Sequence, residues 1–419
     1  MIKQTVARFD LSLRFGLLST AWLLSSPAVG QSYSYTDFVV PGAADTILAG
    51  INNSGSVVGV YGNSINVVQP MEVGWNAFLH NGSSVTTLVP PGSLAAEASA
   101  INNNGTVVGT YLIEVAGVQS TRGFVYDGST YQTILVPFAN ALDTTIASID
   151  DNGVIVGSYA EDFLFGLSLT TLGFRGTPDG IGGYTYESID LDVSNEFDIT
   201  FMNGRNTSGQ EVATHSDGVS VVDGVLLPEA ITVGYPGVGV TSLTGINNNG
   251  LVSGRATFAN PDESLFEIGF VVDSAEILTL PPGQVNFLDV QLPGSGCTFS
   301  TGPLGVDPDC HKSIQGLNDQ STIVGFYDDG DTVFKGFIGT LDSTQPGDFD
   351  GDGDVDGDDF LEWQQGLGTI YDADDLTDWE THYGTGVVLG ISDATSVPES
   401  TSFALFLTSL VCVAIRRRT

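Results

Sequence analysis

Basic side chains are scarce. The 419 residues hold 12 Lys and Arg against 50 Asp and Glu, a net charge of −38. Lys3, Arg8 and Arg14 lie at one end and Arg416, Arg417 and Arg418 at the other. Only Arg122, Arg175, Arg205, Arg255, Lys312 and Lys335 serve the long stretch between. So acidic a body cannot neutralise a phosphate backbone, which excludes nucleic acid as a partner. The same charge favours solubility and draws in divalent cations. Histidine is almost as rare: His80, His215, His311 and His382 have no partner at a motif spacing, and neither Gly-x-Ser-x-Gly nor His-Glu-x-x-His occurs. With those signatures missing, the expectation is a chain without catalytic activity. Cysteine numbers three. Cys412 sits in a terminal apolar run, while Cys297 and Cys310 flank a Gly/Pro-rich segment. A disulfide closing that loop is expected in an oxidising compartment, since no His or Cys stands at a zinc-like spacing for metal ligation. The hydrophobic fraction, 42%, is ample for a packed core and unlike that of a disordered acidic tail.

One phrase, by contrast, is abundant. "INNSGSVVGVY" begins at Ile51, "INNNGTVVGTY" at Ile101, "IDDNGVIVGSY" at Ile149, "INNNGLVSGRA" at Ile246 and "LNDQSTIVGFY" at Leu317. A sixth, worn copy starts at Arg205 and keeps Asn206 and Gly209. Asn and Gly between apolar residues signal a tight hairpin, because both accept the positive φ that such a turn requires. The β-branched residues that follow belong on a strand. Gly59, Gly109, Gly157, Gly254 and Gly325 stand eight positions into their copies, where a strand glycine marks a bulge or a close backbone approach. Tyr61, Tyr111, Tyr159 and Tyr327 stand ten positions in.

A second strand follows each clear copy, as in "NAFLHNG" from Asn76 and "RGFVYDG" from Arg122. Several lead to a third strand ending at proline, as in "SVTTLVPPG". Short strands repeating every fifty residues or so indicate a propeller or a related array. "YTDFVVPGAADT" near the start is the proline-terminated strand that other units place last, and the final unit, ending near Leu341, lacks one. An N-terminal strand completing the last unit would seal a ring and remove exposed edges. The expectation over residues 31–342 is therefore an all-β repeat body, a six-bladed β-propeller or a close relative. Gly50-Ile51-Asn52 and Gly245-Ile246-Asn247 also resemble the opening of the bacterial extracellular repeat family named for a His-Ala-Phe triplet; Asn76-Ala77-Phe78 lacks the histidine. That family is defined by its repeats and implies no particular chemistry. A catalytic motif would not be copied into every unit, so the phrase reads as turn and strand.

The ends look like processing signals. The three basic residues before an apolar run at Phe15–Leu24, with Ala28-Val29-Gly30 ahead of Gln31, fit a signal peptide over residues 1–30. A membrane anchor or buried helix is the competing reading, for which the run is short. At the other end an apolar helix is expected from Phe403 to Ile415, with Arg416–Arg418 held inside by the positive-inside rule. Preceded by Val397-Pro398-Glu399, this tail (397–419) resembles the PEP-CTERM sorting signal, although Ser400 stands where that pattern has proline. The resemblance implies an exosortase-type processing enzyme as partner, transient anchoring in the inner membrane and release to the cell surface or matrix.

"GDFDGDGDVDGDDFLEW" is a different kind of signal. Asp348, Asp350 and Asp352 occupy positions 1, 3 and 5 of a calcium loop, with Gly353 supplying the sharp turn at position 6. Asp354 offers its carbonyl, Asp356 acts through water, and Asp359 closes the loop at position 12. A solvated acidic linker is the alternative. Phe360, Trp363 and Leu367 then fall at helical spacing, and Leu376, Trp379 and Tyr383 repeat them sixteen residues later. The duplication over 348–384, between linkers at 343–347 and 385–396, resembles a small α-helical dockerin type I (EF-hand-like) module. "GTIYDADD" is too short for a second loop, so one Ca2+ is expected. The resemblance implies a cohesin-like or polysaccharide partner. Together these readings describe a secreted, surface-sorted, calcium-binding module of the extracellular matrix. The alternative is a polysaccharide-active glycoside hydrolase or lyase with an unrecognised carboxylate pair, whose spacing is set in space and not in sequence.

Overall fold

The computed structural model describes residues 33–385, apart from 66–70, 140, 165–166, 192–198, 217–221, 239, 260–264, 291, 294–311, 329–332, 342–345, 350–354, 368–370 and 372. Strands dominate. After β1 (Tyr33–Phe38) come β2 (Asp45–Ile51), β3 (Val57–Gly62), β4 (Asn76–His80) and β5 (Val85–Leu88), a four-stranded antiparallel sheet in that order. β6 (Ala95–Ile101), β7 (Val107–Val115), β8 (Val118–Tyr126) and β9 (Tyr131–Ile134) form the next. β10 (Ala141–Ile149), β11 (Ile155–Leu164), β12 (Leu167–Pro178) and β13 (Tyr184–Ile189) follow. So do β14 (Ile199–Arg205), β15 (Glu211–Ser216), β16 (Val222–Leu227) and β17 (Ile231–Val233). The fifth set is β18 (Val240–Ile246), β19 (Leu251–Ala259), β20 (Leu265–Asp273) and β21 (Leu288–Val290). These last three sets share one twelve-stranded sheet, joined among the described residues by the single parallel pairs Thr171↔Ile199 and Val222↔Val240. β22 (Lys312–Leu317), β23 (Ile323–Asp328) and β24 (Phe334–Leu341) complete the series.

The last sheet contains three of its own strands and one from the start of the chain. β1 pairs antiparallel with β24 from Tyr33↔Leu341 to Phe38↔Gly336, occupying the outer place that β5, β9 and β13 hold in their sheets. The first strands of the six sets lie side by side in closed order, β2 next to β6 and onward to β22, which returns to β2. The body is thus β-propeller-like, with the expected N-terminal strand on the last sheet.

Every set folds around the repeated phrase. Gly55, Gly105, Gly153, Gly209 and Gly250 hold φ between +76° and +95°, and Ser321 takes the same left-handed place in the sixth set at +56°. Before each turn the first strand carries a register shift, as between Leu48 and Gly50 or Ala98 and Ala100. That bulge brings a carbonyl against the strand glycine: a Cβ on Gly59 would lie 2.0 Å from the Ile47 oxygen, and one on Gly109 2.1 Å from the Glu97 oxygen. A buried Phe sits across from each glycine, in the pairs Gly59↔Phe78, Gly109↔Phe124, Gly157↔Phe174, Gly254↔Phe270 and Gly325↔Phe337. The worn fourth copy exchanges volume across this pair, with Ala213 opposite Val225. The smaller partner leaves room for the methyl that a phenyl ring would exclude.

The core lies between neighbouring sheets. Val58, Ala77 and Leu88 of the first pack on Ala96, Ala98, Tyr111 and Phe124 of the second, and Val108, Val125 and Ile134 of the second on Ile146, Ile155 and Phe174 of the third. A short helix, α1 (Ser274–Thr279), interrupts the fifth set; Asp273 caps it by accepting from the Ala275 amide at 2.7 Å. The acidic segment ends in α2 (Gly357–Gly366) and α3 (Ala373–His382), whose helical spacing brings Phe360 within 4.9 Å of Trp379. The expected signal peptide over 1–30, the tail with its apolar run, and both Cys297 and Cys310 lie outside the described residues.

Candidate functional site: an axial cavity and its two sides

The six first strands surround a cavity lined by 49–53, 99–103, 147–151, 203–205, 244–248 and 315–319. At its turn end the second residue of each phrase makes two kinds of bond. The Asn102 side-chain oxygen accepts from the amides of Asn104 (3.1 Å) and Thr106 (2.9 Å), which fixes its own turn. Its amide nitrogen donates to the carbonyl of Asp150 in the next set at 3.0 Å. Asn52, Asn206, Asn247 and Asn318 repeat the reach, to the carbonyls of Asn102, Asn247, Asn318 and Asn52 respectively. The phrase is therefore a turn and also a staple between sets, and the bond from Asn318 to Asn52 joins last to first.

Asp150 departs from the ring, because a carboxylate has no amide hydrogen to give. The bond it accepts from the next set comes instead from Arg205 Nε at 2.9 Å. Arg205 replaces the Ile or Leu that opens the other copies, and its cross-strand partner, Val or Ile elsewhere, is Glu211. Glu211 is fully buried and bonds Arg205, while Arg175 grips it with Nε at 2.7 Å and Nη2 at 2.6 Å. Arg175 also reaches Glu187 at 2.6 Å. These bonds hold the guanidinium of Arg175 above its ordinary range, bonding to Glu211 contributing most. Two of the body's six cations are thus spent inside the wall.

The third residue of each phrase forms a second girdle. The amides of Asn53, Asn103, Asn248 and Asp319 donate at 2.8–2.9 Å to the side chains of Asn103, Asp151, Asp319 and Asn53. Thr207 breaks the pattern of Asn and Asp, though its amide still donates to Asn248. Asn248 Nδ2 spans the opening, 3.3 Å from Asp151 and 3.1 Å from Asp319. Asp151 accepts also from Asn103 Nδ2 at 2.9 Å and Asp319 from Asn53 Nδ2 at 2.6 Å. With three donors on each carboxylate, both are committed to the girdle. This end is a polar plug.

The other end does not repeat. Two positions upstream of the cavity, the first strands carry Ile47, Glu97, Thr145, Phe201, Ser242 and Ser313, of which Ile47, Ser242 and Ser313 are buried. Ile47 belongs to a cluster with Ala95 of the next set and Phe326 of the last, which places this position at the inner edge between sheets. Phe201 is 46% exposed and Thr145 is exposed. Glu97 is half-buried, and burial pushes its carboxyl up to about 7. At the fifth and sixth sets Arg255 stands 3.8 Å from Glu267. Burial lowers the Lys312 ammonium, against the pull of Glu267. Sequence reasoning overlooked Glu97; the signal available was a lone acid in "SLAAEASA", where the other copies carry no charge two residues before the cavity.

Of the expected calcium residues, Asp350, Asp352 and Asp354 lie outside the described residues. Of the rest, Asp348 and Asp359 are buried and Asp356 is exposed. Asp359 accepts from the amides of Phe349 at 2.7 Å and Asp356 at 2.6 Å. Among the described residues no three His, Cys, Asp or Glu side chains gather as a metal group. None of their helices is long and apolar enough to cross a membrane.

No protein-family profile matches the chain, and no curated relative does. Solved structures resemble its fold at low identity. An alpha-L-arabinofuranosidase from Podospora anserina, solved with cellotriose, is 9% identical with a TM-score of 0.33, covering 75% of this chain and 98% of that one. A GH43_1 enzyme from Xanthomonas citri complexed with xylotriose is 13% identical at 0.33, covering 74% and 90%. A polysaccharide lyase of family PL25, an ulvan lyase, is 12% identical at 0.36, covering 68% and 76%. The expectation of a chain without catalytic activity is corrected here, because the folds it resembles are those of polysaccharide-cleaving enzymes. Its physical weakness was to rest on short motifs, when a propeller gathers catalytic groups from separate strands. At these scores the likeness concerns architecture, and no residue's role passes across.

Proposed function

We propose that the chain is an exported, polysaccharide-active protein built on a six-bladed β-propeller, with its site at the strand-start mouth of the axial channel. The observation that carries this reading is the contrast between the channel's ends. The turn end repeats one set of residues around the axis and ties up its carboxylates. The strand-start end carries unlike side chains, including an acid perturbed by burial and an exposed aromatic ring. A site is built from such convergent unlike groups, with the repeat serving as scaffold.

In this reading one Ca2+ is held by residues 348–359. The burial of Asp348 and Asp359 and the bond from the Phe349 amide to Asp359 support this reading, with the cation balancing the carboxylates. The N-terminal segment directs export. Val397, Pro398, Glu399 and Arg416–Arg418 direct sorting by an exosortase-type enzyme to the cell surface, where the calcium module meets a cohesin-like or polysaccharide partner. A glycan array with the protein from Gln31 onward, run beside a cleavage assay on the same polysaccharides, tests the reading. Selective binding with release of new chain ends is expected. Binding without release would return the protein to a matrix module, and no binding at all would overturn the polysaccharide assignment.

A further inference from the structure

We propose that Asn81-Gly82 is a self-modifying site, at which the side-chain amide of Asn81 is exchanged for a carboxylate with water as the only reagent. The inference is independent of the polysaccharide reading. The sequence holds five Asn-Gly pairs, beginning at Asn81, Asn104, Asn152, Asn203 and Asn249. Conversion of such a pair needs two free groups: the glycine amide nitrogen, which attacks, and the asparagine amide nitrogen, which departs. In the repeated turns both are tied. The amides of Gly105, Gly153 and Gly250 donate to the carbonyls of Asn102 (3.0 Å), Asp150 (3.0 Å) and Asn247 (3.2 Å). The side-chain nitrogens of Asn104, Asn152 and Asn249 donate to the carbonyls of Asp151 (2.8 Å), Thr207 (3.3 Å) and Asp319 (2.9 Å) in the following set. Asn203 donates to Thr214 Oγ1 at 2.8 Å and the Leu243 carbonyl at 2.7 Å, and Gly204 is buried.

Asn81-Gly82 carries neither tie. The pair lies in the turn between β4 and β5, whose residues 81–84 are all exposed. Neither the Gly82 amide nor the Asn81 side-chain nitrogen donates a hydrogen bond among the described residues, and a Cβ on Gly82 would meet nothing within 4 Å. The Asn81 side-chain oxygen, by contrast, accepts from the amides of Ser83 (3.2 Å) and Ser84 (3.1 Å) and from their hydroxyls at 2.9 and 3.4 Å. These bonds turn the carbonyl back along the turn and stabilise negative charge on its oxygen when its carbon is attacked. The second set shows the end point. There the matching residues are Asp127-Gly128-Ser129-Thr130, and the Asp127 carboxylate accepts from the amides of Ser129 (2.8 Å) and Thr130 (2.7 Å) and from both hydroxyls. Those bonds, the Thr130 amide first, hold its carboxyl well below the usual carboxylate range. A carboxylate at position 81 thus finds its donors already in place.

In the reaction the Gly82 nitrogen bonds to the side-chain carbonyl carbon of Asn81. The bond from that carbon to Nδ2 breaks, and ammonia leaves with the hydrogen that Gly82 gave up. Water then opens the cyclic imide. Opening at the side-chain carbonyl restores the ordinary backbone and leaves aspartate; opening at the main-chain carbonyl leaves isoaspartate, with a longer backbone. The pair His80↔Val85 closes the turn, so the fold favours aspartate. One water is consumed and one ammonia released.

Folded full-length protein, and the same protein kept unfolded in guanidinium, should be aged side by side at neutral pH. Peptide mass spectrometry then follows the five pairs. Unfolded, all five should convert at comparable rates. Folded, Asn81 should convert at least ~10-fold faster than each of the others, the factor expected where a hydrogen bond or two must first be broken. The main folded product should elute from an anion exchanger with the Asn81→Asp protein and should not form from Asn81→Ser, whose hydroxyl keeps an acceptor for the turn. Folded conversion at Asn81 no faster than at the other four overturns the proposal. So does the same preference for Asn81 in the unfolded chain, which would take the selectivity away from the fold.

Discussion

Asp150 shows how one atom in a repeat rearranges its surroundings. Asparagine at this place gives one bond forward, and aspartate cannot, so Arg205 reaches back from the next set to bond it. The cation needs an anion, which is Glu211, and the fully buried Glu211 needs a second cation, which is Arg175. Breaking such a network at one member leaves uncompensated buried charge, whereas replacing all of it by apolar groups is often neutral or better. Glu211→Ala should therefore lose about 3–5 kcal/mol of stability in chemical denaturation. The joint change Asp150→Asn, Arg175→Val, Arg205→Ile and Glu211→Val, which rebuilds the pattern of the other sets, should restore the parent's midpoint. Glu97 gives a second prediction, in pH. Its folded value of about 7 exceeds the ordinary 4.5. Between those values the folded protein keeps a proton that the unfolded chain has released, so stability from this group is present at low pH and is lost as pH rises towards 7. The melting temperature of the parent relative to Glu97→Gln should fall from pH 5 to 7 and be level above 8. A difference that stays constant across the range would show that the carboxyl is not perturbed.

Among elements, β1 is the one whose sequence neighbours are not its structural ones. It pairs with β24 across nearly the whole chain and covers an edge that would otherwise stay open. Tyr33 and Val40 are buried with it, and the Val40 amide donates to Thr46 at 3.0 Å. A protein truncated to begin at Ala44 should melt earlier than the parent and aggregate, because β24 then offers an unpaired edge. Melting like the parent would count against closure. This strand was legible in the sequence, since "YTDFVVPG" matches what other sets place last and the final set lacks it. The turns and strand glycines were legible for the same reason: positive φ and a close carbonyl leave few residue choices. The staple formed by the second asparagine was not legible, because its partner lies some fifty residues away and a local turn already accounts for the residue. Nor was Glu97, which enters no motif and becomes notable only when six strands align. The proposed calcium loop yields a test at this scale. Calorimetry should find one site per chain, abolished by Asp348→Ala with Asp352→Ala. A chelator should loosen α2 and α3, whose aromatic contacts depend on the loop that precedes them. Two equivalent sites, or none in the parent, would refute the assignment.

For the whole molecule, the proposed location rests on charge and on the two ends. An excess of 38 negative charges suits a protein displayed in water among cations. In the expected topology the tail crosses the membrane only briefly. Its apolar run from Phe403 to Ile415 falls short of the ~20 residues of a comfortable span, and three arginines follow it. A permanent anchor depends on apolar length and flanking charge alone, so it would tolerate rewriting of Val397-Pro398-Glu399. A segment recognised and cut by a transpeptidase would not. Pro398→Ala with Glu399→Ala should therefore leave the protein in the inner membrane with Arg416–Arg418 attached, while the parent is found outside the cell without them. Mass spectrometry of the exported parent decides between the two, for an intact C-terminal peptide containing Cys412 would identify the tail as an anchor and remove the case for sorting.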